Sequence, residues 1–423
     1  MNMDQAKKQM DFFSVTGINN YESRNHLATI DTLRGISVVL MLHMHCALAW
    51  HSSEWSALSR LMFYTTDFVA PALYTIMSIL ANMISLESRR GQGGKYSLSR
   101  GAALRASFLF MYGESLNILT FNRLGWYSLT TWNVILVIAV FTLILPSLLK
   151  IKPVIRIAIA ACIAIVYFWV VDLAMTHMAG IPIDINNVQA ANLVNPATLP
   201  YWLLFYHDMM TPIFSWMIIP LVVPLVFSRF VKVLVAGERH RWVHEIKRIA
   251  GIGSLFVLIG VVTGLWRIPD YVIRNHVQLT TPDAYFTWPF PDGEPLFLIR
   301  HTPQYMIYNT GMVCLLFSLV AYIQLPTGKR LPFQGILISL GKMSLTGFNL
   351  SLYAFIIPLS FSLPVFYIIV IPGIVLVTWL FHAWYTKGRG IGSLEWLMHI
   401  HVNTISYYLD RYRKSRRTLS FSS

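Results

Sequence analysis

Ile30-Asp31-Thr32-Leu33-Arg34-Gly35-Ile36-Ser37-Val38-Val39-Leu40-Met41-Leu42-His43-Met44-His45 opens the first long apolar segment of the chain. An acid and a base stand at one end and two imidazoles toward the other. Charge inside an apolar helix is costly and marks function by default. At 100° per residue, Arg34 and His45 fall within about 20° of each other on the helix surface, and Asp31 within about 40° of His45. His43 falls on nearly the opposite face from Arg34. One stripe therefore joins Arg34 to His45, and a straight helix cannot direct both histidines at one site.

Outward from this stretch the composition is that of a membrane protein. Of 423 residues, 55% are hydrophobic and only 12% charged, against about a quarter charged in soluble domains. The 13 Trp, 20 Tyr and 25 Phe suit aromatic belts at two interfaces. A net charge of +14 invites a nucleic-acid reading. That reading is weak because the excess Lys and Arg sit between apolar segments. Cys46, Cys162 and Cys314 form neither a metal pattern nor a disulfide framework. The first thirty or so residues are polar, with no charged-then-apolar leader.

Apolar segments follow at approximately 31–50, 61–85, 102–120, 130–149, 154–177, 201–228, 249–266, 303–325, 334–358 and 363–385. Each is near the ~20 residues that a bilayer-spanning helix needs, and helices satisfy their own backbone in lipid. The expected fold is all-α: a polytopic membrane protein of about ten transmembrane helices. Ten spans leave both termini on one side. That side would hold 27 of the 33 Lys and Arg and the other side five, a bias that puts both termini in the cytoplasm. The expected domains are a cytoplasmic polar arm 1–29, a transmembrane domain 30–385 and a basic cytoplasmic tail 386–423. Two long outer loops, 178–200 and 267–302, belong to the membrane domain. The second carries Tyr271, Tyr285, Phe286, Trp288, Phe290 and Asp292, a mixture that suits a sugar face or an interfacial cap.

Polar residues recur at one depth. His45, Asp67 and Glu114 each fall roughly 7–9 Å below the outer ends of the first three segments. Asn117, Asn133, Asp172, His207 and Asp208 lie near the same layer, with Arg300 and His301 just above it. This arrangement implies a polar cavity open to the outside. Plainer readings compete: packing for His45, an interfacial place for His51, backbone satisfaction beside Pro71 for Asp67, a cap for His301 and snorkelling for Lys342. Gly260-x-x-x-Gly264 reads as close helix packing without chemistry. The histidines show no metal spacing, so no metal is expected.

Asp31-Thr32-Leu33-Arg34-Gly35-Ile36 resembles the opening of the transmembrane acyltransferase superfamily. That group includes lysosomal heparan-α-glucosaminide N-acetyltransferase and bacterial membrane glycan O-acyltransferases. Asp67-Phe68-Val69-Ala70-Pro71 is similar to its Asp-x-Val-x-Pro element. Arg105, with Gly113-Glu114-Ser115-Leu116-Asn117, resembles its third span. Phe297 through Gly311, including Arg300-His301-Thr302-Pro303, resembles a late Pro-Ser-x-x-Tyr element. Leu340-Gly341-Lys342-Met343-Ser344 resembles the start of the penultimate span. Gly392-Ser393-Leu394-Glu395-Trp396-Leu397 is similar to a tail of related bacterial membrane proteins. The stretch 178–295 has no counterpart.

The resemblance implies transfer of an acyl group, taken as acetyl, from cytoplasmic acetyl-CoA to an outer acceptor, a saccharide or lipid-linked saccharide. A bacterial inner membrane is the implied location, and a homodimer is compatible with it. The implied roles are His45 or His51 as base, Asp67 or Glu114 as its orienting acid, and Arg34, Arg105 and Lys342, with Arg100, as a basic mouth for the CoA phosphates. Asn117, Arg300 and His301 would face the acceptor. His51 stands at a shorter spacing than the family's loop histidine, so which imidazole acts stays open. Intramembrane acids and histidines equally suit a proton-coupled secondary transporter or flippase.

Overall fold

The structure is a computed structural model that describes residues 27–50, 69–91, 93–94, 96–120, 132–178, 213–265, 296–298, 302–355, 357 and 359–420. The described residues are all-helical, with no strand. In chain order the helices are α1 (Ala28–Trp50), α2 (Ala70–Gly91), α3 (Arg100–Thr120), α4 (Val134–Leu148), α5 (Pro153–Met178), α6 (Ile213–Trp216), α7 (Ile218–Val235), α8 (Trp242–Gly264), α9 (Pro303–Gln324), α10 (Gln334–Lys342), α11 (Ser344–Leu352), α12 (Leu363–Gly388) and α13 (Leu394–Ser420). Six stretches are long and apolar enough to cross a bilayer: α2, the first 18 residues of α5, α6 with α7, α8 with the turn before it, α9 and α12. The chain is therefore a multi-pass, all-helical membrane protein.

Local chemistry sets the helix starts. Asn133 caps α4, its Oδ1 accepting from Ile135 N and Leu136 N at 3.0 Å each. Thr302 caps α9 by accepting from Tyr305 N at 3.1 Å, with Pro303 next to it. Close packing uses glycine where the sequence offered it. A Cβ on Gly260 would stand 2.8 Å from Tyr308, one on Gly264 2.6 Å from Phe297, and one on Gly311 2.7 Å from the Gly253 carbonyl. The Gly260/Gly264 pair thus brings α8 against α9 and the turn before it. Phe227 and Phe230 of α7 then pack edge-on against Phe317 of α9 in the central core.

The segment 334–358, expected as one span, breaks at Met343. Contacts with α1 show the chain reversing there. Gly35 meets the Leu337 carbonyl and Gly341 meets the Asp31 carbonyl, so α10 runs antiparallel to α1. Val38 then meets Gly347, and His45 meets Ser351, so α11 runs parallel to α1. Each helix has nine residues, about 13 Å, too short to cross a bilayer alone. The pair forms a helical hairpin packed on α1.

The described part of the tail up to Asp410 packs on the bundle. α13 runs antiparallel to α3, fixed where Phe108 meets His401 and where Arg100 grips Asp410 with two bonds of 2.6 and 2.8 Å.

Candidate functional site

Ser37 Oγ donates to the Ala70 carbonyl at 2.7 Å, so α2 begins level with the middle of α1. Along α2, Arg34 Nη2 approaches Ser78 Oγ at 3.4 Å. Ser78 lies about 18 Å up the helix from Arg90, so Arg34 stands deep in the bundle, well inside the basic rim of Arg89 and Arg90. Its Nε is buried and makes no hydrogen bond. Arg34 is thus set apart from Arg89 and Arg90 along α2.

From Arg34 a continuous track leads away from that rim. Ser78 Oγ donates to the Tyr74 carbonyl, and Tyr74 OH lies 3.5 Å from Ser344 Oγ. The Tyr74 ring stacks on Phe348 at 6.4 Å, and Phe348 meets His45 edge-on at 6.1 Å. His45 Nδ1 lies 2.8 Å from Ser351 Oγ. That hydroxyl donates its one proton to the Phe348 carbonyl at 2.6 Å. It must therefore accept from His45, which places the neutral ring's proton on Nδ1 and the lone pair on Nε2. Arg34 and His45 share the α2/α11 side of α1, about 16 Å apart along its axis. His43 faces α12, between Phe366 and Tyr367, and neither of its ring nitrogens has a hydrogen bond. Helical phase separates the histidines as the sequence implied.

The other described polar residues singled out in the sequence lie at three further places. Asn133 Nδ2 donates to Asn117 Oδ1 at 2.8 Å and to the Gly113 carbonyl at 2.9 Å, while Asn117 reaches Glu114 at 3.5 Å. Glu114, Asn117 and Asn133 thus form one α3/α4 cluster, whereas Ser351, to which His45 bonds, lies on α11. Arg105 stands near Arg89 on the basic rim and touches the Gly101 carbonyl at 3.4 Å. Lys342 points to α12, 3.2 Å from Tyr385 OH and over its ring. His51, Asp67, Arg300 and His301 lie outside the described residues, as do the arm up to residue 26 and most of both outer loops.

Glu395 has a place that the sequence did not announce. Its carboxylate accepts from Leu345 N at 2.5 Å, Thr346 N at 3.3 Å and Thr346 Oγ1 at 2.6 Å. Leu394 N in turn donates to Thr346 Oγ1 at 2.9 Å. The tail helix therefore supplies the N-cap of α11, an acid at the positive end of a helix. Burial nevertheless pushes its carboxyl pKa above the ordinary value, with the donors pulling the other way. The signal in sequence was an acid in the Gly392–Leu397 stretch; its partner lies fifty positions earlier.

Fold and site together define a multi-pass helical membrane protein with a polar track through its bundle. No protein-family model matches this chain, and no curated protein matches it. Among the described residues no group of three or more His, Cys, Asp or Glu could hold a metal ion.

Proposed function

We propose that this protein is an integral-membrane acyltransferase, moving an acetyl group from cytoplasmic acetyl-CoA to a saccharide acceptor at the outer side. The observation that carries the reading is the Arg34–Tyr74–Phe348–His45 track between α1, α2 and α11. A half-buried guanidinium with a buried, unused Nε suits an anionic group of the donor. An imidazole whose Nδ1 proton is held by Ser351 keeps Nε2 as the base for an acceptor hydroxyl or amine. His45 takes that proton, the acceptor oxygen or nitrogen attacks the thioester carbonyl, and CoA thiolate leaves. The resemblance of the Asp31–Ile36 and Asp67–Pro71 stretches supports the same class.

The test is purified protein in detergent with radiolabelled acetyl-CoA, scoring CoA release and label transfer to added glycans. Failure to bind CoA at millimolar concentration would sink the reading. If His51→Ala and not His45→Ala removes turnover, the base is His51.

A second reading, a proton-coupled transporter, gains from the hairpin at Met343, since broken helices line many transport sites. It predicts proton flux in proteoliposomes without acetyl-CoA.

A further inference from the structure

We infer that Arg156 anchors a phosphate-binding site at the N-terminal end of α5, for a phosphate monoester or diester. Arg156 is only 5% exposed, yet its Nε and Nη1 are buried without any hydrogen-bond partner. A buried guanidinium without a counter-ion is strongly unfavourable, because desolvation is not repaid by pairing. An anion that is present in the cell removes that penalty.

The surroundings fit a phosphate. Arg156 is the fourth residue of α5, whose 26 residues begin at Pro153. Side chains in a helix lean toward its N-terminus, so the guanidinium lies back over the first turn. Pro153 has no N–H and the Arg156 amide bonds the Lys152 carbonyl at 3.2 Å, so the Val154 and Ile155 amides and the positive end of the helix are what the first turn offers an anion. Lys150 and Lys152 stand exposed on the turn just before it. From the α2–α3 loop, the Tyr96 phenol lies within electrostatic reach. The acid on that side, Glu87, is already engaged: Tyr96 OH donates to it at 2.5 Å, and Arg90 lies 3.5 Å from it. Among the described residues no carboxylate pairs with Arg156. Its flanks Val154, Ile155 and Ile157 are 75, 48 and 53% exposed. They face lipid while Arg156 faces inward, which sets the guanidinium at headgroup level. A planar five-donor fork suits a phosphate bidentately.

This site lies on α5, apart from the Arg34–His45 track, and does not rest on acyl transfer. Two sources share the chemistry: an anionic phospholipid headgroup and a soluble phosphate such as that of CoA. The full chain is kept in a phosphate-free maltoside detergent, and its melting temperature is followed as three probes are supplied: inorganic phosphate, CoA, and phosphatidylglycerol in mixed micelles. Without any anion, Arg156→Gln should melt at or above wild type, because it removes an uncompensated buried charge. With the right anion, wild type should rise and Arg156→Gln should not, its affinity falling about tenfold or more. Arg156→Lys should respond weakly. Lys152→Gln, at an exposed position, should fold normally and show a smaller loss of affinity. A response to phosphatidylglycerol alone identifies a lipid site; a response to phosphate or CoA identifies a soluble one. A CoA response that survives Arg156→Gln belongs to the donor site and counts against Arg156. If Arg156→Gln and Lys152→Gln match wild type with every probe, the site does not exist.

Discussion

At the scale of single residues, one hydroxyl decides what His45 can do. Ser351 spends its proton on the Phe348 carbonyl, and so turns His45 Nδ1 into a donor. Under the proposed reaction, His45→Ala should lower kcat by about 10²- to 10⁴-fold, the usual worth of a general base, with CoA binding kept. Ser351→Ala should cost about tenfold in kcat through lost orientation, with KM for acetyl-CoA unmoved; steady-state kinetics in detergent checks both. A raised KM at unchanged kcat would move Ser351 to a binding role. Glu395 gives a pH signature. Its pKa in the fold lies above the ordinary 4.5 because burial dominates. The folded state then holds the proton more tightly than the unfolded chain does. Stability is gained as pH falls through the raised value toward 4.5, and lost as pH rises through the same window. Glu395→Gln keeps a capping oxygen without the charge, so melting temperature should depend less on pH in that window. An unchanged slope would mean that another group carries it. Glu395→Ala, which deletes the cap, should be destabilised at every pH by about 1 kcal/mol.

At the scale of elements, the α1–α10 contact is made of two glycines in opposite registers. A Cβ on Gly341 would meet the Asp31 carbonyl, and one on Gly35 the Leu337 carbonyl, each far inside van der Waals contact. Backbone cannot yield as a flexible side chain can, so Gly341→Ala should destabilise by about 1–3 kcal/mol or more. Gly251→Ala on α8, with nothing near its Cβ, should be neutral or stabilising by up to ~1 kcal/mol. Thermal melts in one detergent compare them; equal melting temperatures would dissolve the claimed contact. These glycines were visible in sequence as parts of the Asp31–Ile36 and Leu340–Ser344 stretches, but not as partners, since about 300 positions separate them. The reversal at Met343 was illegible for a different reason. Neither proline nor a polar run marks it, and an apolar stretch of 25 residues reads the same straight or folded. The Arg34/His45 stripe was legible because helical phase is local. Ser351 and Glu395 were not, because their roles depend on which helices become neighbours.

At the scale of the whole molecule, composition decided the class and the bilayer decides what must face outward. α12 shows this most plainly. Ile368, Ile371, Val375 and Trp379 recur at spacings of three and four residues and are 72, 51, 62 and 55% exposed. In water such a stripe would be an aggregation surface; in a bilayer it is the lipid face. Val375 lies at the middle of the 26-residue helix, where the hydrocarbon is deepest. Val375→Arg should therefore cost about 2.5–3.5 kcal/mol on insertion scales. The variant should accumulate poorly in the membrane fraction and melt lower in nanodiscs, while Val375→Leu behaves as wild type. Depth is the variable, so a charge change at the end of the same helix is the matching control. Lys387 sits exposed in the last turn of α12, and Lys387→Gln should leave yield and melting unchanged. If Val375→Arg inserts and melts as wild type does, that face of α12 meets protein or water, and the order of spans derived from charge would need to be redrawn.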